Sequence, residues 1–228
     1  VNDHDHSADL VGTWTCLTEN YAEALIIKAD GTAVSYGVED GKYWENVKGT
    51  VTVKENNITM IFEDDDNWTG HFDVIPGMAF SLFEENGERY IYNYCKEDLS
   101  EKIVGMWVCN EGVSGAEEDM GIITYSEDGK AMFTGNNVTE NNDNLLGLES
   151  TYKVVGNILF QTISYLSNSG VDSYMAIKLT YAPNNISLGD IMTQTTYLSK
   201  ADGVQKSTSS WLRVKQSLNL TGKTYDYS

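Results

Sequence analysis

The sequence predicts an all-β protein made of two tandem antiparallel up-and-down β-barrel units, and three observations carry that expectation. A seven-residue segment around Trp14 returns around Trp107, 93 positions later. Apolar runs are punctuated by Asp-Gly and Asn-bearing turns. Thr, Tyr, Val and Ile are abundant while only 2 of the 228 residues are proline, a composition suited to pleated strands joined by tight turns.

The elements follow in order. Residues 1–8 are polar and read as a flexible head. Leu10-Val11-Gly12-Thr13-Trp14-Thr15-Cys16 is an opening strand, in which Trp14 and Cys16 share one face by the two-residue period and Thr13 and Thr15 the other. Leu25 to Ala33 is a hairpin turned at Asp30-Gly31, and Val51 to Phe62 a second turned at Glu55-Asn56-Asn57. Arg89-Tyr90-Ile91-Tyr92-Asn93-Tyr94-Cys95 closes the unit, placing a boundary near Leu99-Ser100-Glu101. The same series then repeats: Ile103-Val104-Gly105-Met106-Trp107-Val108-Cys109, a hairpin at Asp128-Gly129, another at Gly156-Asn157, and a closing Trp211-Leu212-Arg213-Val214-Lys215. The units are expected over 9–99 and 100–217, with a tail over 218–228. The second is longer, and its surplus falls at residues 136–144 and 183–210, where Ile186 to Met192 fits either a strand or a short helix.

A Gly-x-Trp opening strand, successive hairpins with an Asp-Gly turn and an aromatic or basic closing strand together resemble the lipocalin-like bacterial lipoproteins, here as a tandem pair. The resemblance implies that Trp14 and Trp107 each sit at one end of a barrel beneath the crossing last strand, with Arg213 beside Trp107. In the first copy Tyr92 stands where the second has Arg213. It also implies an exported protein, periplasmic or on the outer cell surface, with the option of a lipid anchor upstream of Val1. Eight strands and their turns need roughly 70–85 residues, so the first unit closes only if its strands are short. Interiors of such small barrels are filled by side chains or hold one small ligand.

Charge and motifs narrow the function. Fifteen basic against 34 acidic residues give −19, which repels phosphate backbones and anionic lipids and argues against nucleic-acid binding. No apolar run approaches the ~20 residues of a membrane-spanning helix. Phosphate-binding glycine loops, a nucleophile elbow and zinc-type Cys spacing are all missing from the sequence, so neither a cofactor nor a metal is expected; catalysis is not the expectation either, and an enzyme stays a third reading that only the abundant carboxylates support. Glu63-Asp64-Asp65-Asp66-Asn67 is either a solvated hairpin tip or, less in keeping with its spacing, a calcium loop. His4 and His6 flank Asp5 as an adventitious metal pair. Cys16 and Cys95 lie on strands that adjoin in a closed barrel, and they are either disulfide-bonded or buried free thiols.

What remains is non-catalytic binding. The candidate ligand-binding residues are Trp107, Trp14, Arg213, Tyr92 and Trp68, with each strand tryptophan either the floor of a pocket or a core plug. A small apolar or amphipathic ligand is expected in the second unit, whose longer loops form a mouth. The alternative is an outer surface that binds glycan or protein through exposed Trp68 and the row Tyr90, Tyr92, Tyr94, with Trp44 and Trp68 in or beside loops. That tyrosine row equally suits a contact between the two units.

Overall fold

The computed structural model describes residues 6–64, 67–83, 87–109, 121–135, 147–162, 174–183, 190–200 and 203–214. Among them, sixteen strands form two closed barrels of eight, each wound in sequence order with every neighbouring pair antiparallel. The first contains β1 (Gly12–Leu17), β2 (Tyr21–Ile27), β3 (Thr32–Glu39), β4 (Lys42–Lys54), β5 (Asn57–Phe62), β6 (Asn67–Ile75), β7 (Ala79–Phe83) and β8 (Arg89–Tyr94). The second contains β9 (Gly105–Cys109), β10 (Gly121–Tyr125), β11 (Lys130–Gly135), β12 (Gly147–Val155), β13 (Ile158–Thr162), β14 (Tyr174–Ala182), β15 (Ile191–Lys200) and β16 (Gly203–Arg213). Closure leaves no unpaired sheet edge. Short turns, not uniformly short strands, make the first barrel fit its length. β4 runs for 13 residues, while its flanking hairpins turn on Asp40-Gly41 and Glu55-Asn56, whose positive φ at Asp40, Gly41 and Glu55 gives the twist that tight hairpins favour.

Each Gly-x-Trp segment is a closure device. β1 meets β8 with Trp14 opposite Tyr94, and β9 meets β16 with Trp107 opposite Arg213. The side chain opposite each tryptophan crosses back over the glycine two residues earlier. A Cβ on Gly12 would lie 2.5 Å from the Tyr94 ring and one on Gly105 2.8 Å from the Arg213 guanidinium, and both glycines hold positive φ, 144° and 131°. Each indole N–H then donates 2.7 Å to the carbonyl four residues back, Leu10 in one barrel and Ile103 in the other. Trp14 and Trp107 are both fully buried. Leu10 belongs to a short 3-10 turn, Ala8–Leu10, under the first barrel. Of the head expected over 1–8, the described part packs there too, with His6 Nδ1 2.9 Å from Asp9 Oδ2 and its ring edge-on to Phe72.

The barrels touch through outward faces. Ala22, Ala24 and Val38 of the first pack on Val155, Ile158 and Phe160 of the second, and Tyr43 stacks on Tyr174 with ring centroids 4.6 Å apart. The Tyr174 amide donates to the Gly41 carbonyl, and the Leu99 amide to that of Gly156. The row Tyr90, Tyr92, Tyr94 takes no part. It faces the interior of the first barrel, against the expectation of an outer row, because β8 must direct Tyr94 onto Trp14 and the two-residue period carries Tyr92 and Tyr90 inward with it.

No helix among the described residues is long and apolar enough to cross a membrane. On the outside of β4, Lys48, Thr50, Thr52 and Lys54 are exposed, and β1, β5 and β8 have six residues each.

Two stability tests follow from the packing. Gly12→Ala and Gly105→Ala each force a Cβ into a crossing side chain at positive φ, and each is expected to cost about 2–3 kcal/mol in urea unfolding. Tyr43 Oη is buried without a hydrogen bond among the described residues. Tyr43→Phe removes that unpaired group and keeps the ring, so it is expected to raise stability by about 0.5–1 kcal/mol in the same measurement.

Candidate functional site

Glu23 lies on β2 in the run Tyr21-Ala22-Glu23-Ala24-Leu25-Ile26-Ile27, on the face shared by Tyr21, Leu25 and Ile27, so strand geometry points its carboxylate into the first barrel. It is 6% exposed. Burying a carboxylate is costly unless donors replace its water, and three hydroxyls do so. Ser35 on β3 donates 2.5 Å to Oε1, while Tyr21 on β2 and Tyr92 on β8 donate 2.6 Å and 2.5 Å to Oε2. The Trp44 indole N–H donates 2.8 Å into Ser35 Oγ, which aims the serine proton at Glu23. Trp44 lies flat across Gly37, where a Cβ would sit 1.9 Å from the indole, and it reaches this position because β4 shifts register between Ser35 and Gly37.

The cluster rests on the barrel base through a column of rings. Tyr92 stacks on Phe80 at 4.7 Å, and Phe80 meets Trp14 edge to face at 4.9 Å. Above it the barrel opens into two neighbouring cavities whose linings share Tyr21, Glu23, Glu39 and Phe62. One, about 320 Å³, extends past Ser35, Lys42, Trp44 and Asp64. The other, about 220 Å³, extends past Met60, Trp68, Leu82, Tyr90 and Tyr92. A larger space of about 850 Å³ lies at the base of the second barrel, bounded by Ser100, Glu101, Val104 and the Glu127–Gly129 turn. Glu101, Glu127 and Asp128 there are exposed, and none of the described lining residues is a buried polar group, so size alone recommends it.

Burial raises the pKa values of both phenols well above the ordinary tyrosine value, and the neighbouring Glu23 charge raises them further. Both stay protonated donors at neutral pH. Burial, and then the Glu23 charge, also push the Cys16 thiol up to about 12.

Register shows how far the two barrels have diverged here. Trp14 faces Leu25 as Trp107 faces Ile123, so Glu23 corresponds to Gly121. By the same pairing Ser35 corresponds to Phe133 and Tyr92 to Trp211. A Cβ on Gly121 would lie 3.3 Å from the Phe133 ring and 3.4 Å from that of Trp211. Where the first barrel holds a carboxylate and hydroxyls in an open mouth, the second fills the same level with two aromatic rings.

The expected site residues separate accordingly. Tyr92 and Trp68 line the same cavity in the mouth of the first barrel, both pointing inward from strands; Trp44 and Trp68 lie on strands beside the turns that precede them. Trp14 and Trp107 lie at the bases, out of reach of a ligand in the described cavities. Arg213 does lie over Trp107, its guanidinium carbon 4.3 Å from the ring, with Nη1 donating to the Val104 carbonyl, Nη2 to that of Lys102, and Nε 3.1 Å from Asp190. Its counterpart in the first barrel is Tyr94, not Tyr92. Residues 110–120, 136–146 and 163–173 of the second unit, among them the expected surplus at 136–144, lie outside the described residues, as do Asp65, Asp66 and the 186–189 stretch. Cys16, Cys95 and Cys109 are buried thiols, none of them in a disulfide. Cys16 faces the interior, whereas Cys95 faces Glu97 and Gly156 outside, so the adjoining strands do not bring their sulfurs together.

Sequence reasoning missed Glu23, Tyr21 and Ser35, and it read Trp44 as an outer aromatic in or beside a loop. Glu23 left a trace, as a charged residue at an inward position of an apolar strand. The inward place of Trp44 left none, since a register shift sets it.

Comparison with known proteins adds little. No family model and no curated protein matches the chain. A solved structure, a porin-like protein from Bacteroides uniformis, aligns over 89% of this chain and 95% of its own at 10% identity, with a TM-score of 0.21. A superposition that loose carries no argument about this protein.

The site makes a chemical prediction. With a pKa near 12, Cys16 is expected to resist iodoacetamide at pH 7–8 and to react about tenfold faster for each further pH unit, because only the thiolate attacks. Mass mapping of the alkylated peptides in folded and urea-unfolded protein reads this directly.

Proposed function

We propose that this chain is an exported, lipocalin-like, non-catalytic binding protein whose ligand is a small amphipathic molecule held in the mouth of the first barrel. One observation carries the reading: a buried carboxylate with three hydroxyl donors forms the floor of an aromatic-walled cavity in one barrel, while the paired positions of the other are plugged by Gly121, Phe133 and Trp211. Among the described residues the second barrel closes without any such group at the paired positions.

Small-molecule sites are concave and mostly apolar, with a few convergent polar groups that fix orientation, and this mouth has that character. The choice of the first barrel differs from the expectation of a ligand in the second. The alternative of an outer glycan- or protein-binding surface loses its main support, because Tyr92 and Trp68 point into the barrel. The export reading rests on the sequence resemblance.

Native mass spectrometry of protein purified from its producing cell tests the proposal. A stoichiometric, solvent-extractable adduct is expected. Transplanting the second barrel's plug, with Glu23→Gly, Ser35→Phe and Tyr92→Trp together, is expected to abolish that adduct while the barrel stays folded by circular dichroism. An adduct kept at full stoichiometry in the folded triple variant would place the ligand elsewhere.

A further inference from the structure

We infer that the ligand of the first barrel is an organic cation, a protonated amine or quaternary ammonium carrying an apolar body, with the Glu23 carboxylate as its counter-charge. This rests on the binding reading above and specifies the chemistry of that same mouth.

Hydrogen-bond direction decides the polarity that the cavity presents. Tyr21, Ser35 and Tyr92 all donate their hydroxyl protons to Glu23, and Ser35 in turn takes the Trp44 indole proton. A tyrosine hydroxyl has one proton and an ionised carboxylate has none. The phenol protons are therefore spent on the carboxylate, and the floor turns acceptor oxygens and a negative charge toward the cavity, with the two phenol oxygens 3.2 Å apart. A ligand that donates, or that carries positive charge, meets this floor; a ligand carboxylate or phosphate meets only acceptors.

The walls agree. Tyr21, Trp44, Trp68, Tyr90 and Tyr92 line the two neighbouring cavities. Tyr21 lies 5.5 Å from Tyr90 and 6.0 Å from Trp44 between ring centroids, so the rings surround the space above Glu23 from several strands. Aromatic faces attract cations through their quadrupole, most strongly for tryptophan and where water is excluded. The charged rim has the same sign preference: among the described residues lining the two cavities, Glu23, Glu39 and Asp64 are set against Lys42 alone, and Lys42 is exposed. The net charge of −19 further concentrates cations around the molecule.

Three probes of one shape separate the possibilities: benzylamine, which is cationic at pH 7, benzyl alcohol, which is neutral, and benzoate, which is anionic. Each is titrated by calorimetry into the full chain freed of co-purified ligand. Benzylamine is expected to bind about tenfold or more tighter than benzyl alcohol, with benzoate weakest. In Glu23→Gln, which keeps the shape and removes the charge, the preference for benzylamine over benzyl alcohol is expected to vanish. Trp68→Leu, at the rim and away from the buried hydroxyls, provides a second variant should Glu23→Gln fail to fold; it is expected to weaken benzylamine more than benzyl alcohol. Benzyl alcohol or benzoate binding the wild-type protein as tightly as benzylamine overturns the cation assignment and leaves the binding site standing. So does a folded Glu23→Gln protein that keeps the preference. If no probe binds the wild-type protein, the cation assignment and the binding reading fall together.

Discussion

Both barrels depend on one contact, the crossing of the last strand's side chain over the glycine of the first strand and onto its tryptophan. In the first barrel the side chain is Tyr94, edge-on to Trp14 at 5.0 Å; in the second it is Arg213, over Trp107 at 4.3 Å. The glycine is needed because any Cβ there would occupy the space of the crossing group. The indole N–H, buried with its ring, is satisfied by a carbonyl from the turn that enters the strand. Joining the first and last strands in this way fixes which face of every intervening strand points inward, since alternation then propagates around the sheet.

That constraint explains why an aromatic column can serve as scaffolding for a polar group. Trp14 holds Phe80, Phe80 holds Tyr92, and Tyr92 together with Tyr21 and Ser35 holds Glu23. Each member is pinned by its neighbour before the carboxylate is reached, so the charge is presented in a fixed direction rather than left to find its own partners. In the second barrel the column ends differently: Trp211 and Phe133 extend over Gly121, and the ring area itself completes the core.

The two barrels therefore share closure, turn chemistry and register while differing in what they enclose. The Asp-Gly turns show the shared part in detail. Gly31 and Gly129 both take positive φ, near 80°, and each carbonyl accepts an amide from the strand after next, Val51 in one barrel and Tyr152 in the other. Such features are set by a few residues at fixed spacing and survive extensive change elsewhere. Interior side chains are freer to change, because a small barrel accepts either a polar, open filling or an apolar, closed one provided that its volume is occupied or its polar groups are paired.

The sequence by itself determined the fold class, the repeat and the closure residues. Gly12, Trp14, Gly105, Trp107 and Arg213 act through local geometry and strand period, both of which can be read along the chain. It also carried a partial sign of the site, a glutamate on the inward face of an apolar strand. Only the tertiary structure decided that Tyr92 meets Glu23 across 69 positions, that Tyr94 is the partner of Trp14, and that a register shift in β4 lays Trp44 over Gly37 against Ser35. It also turned Cys16 and Cys95 to opposite sides of the sheet. These facts depend on which strands adjoin and in what register, and pairing between strands far apart in sequence is set by the closed sheet as a whole, not by any segment within it.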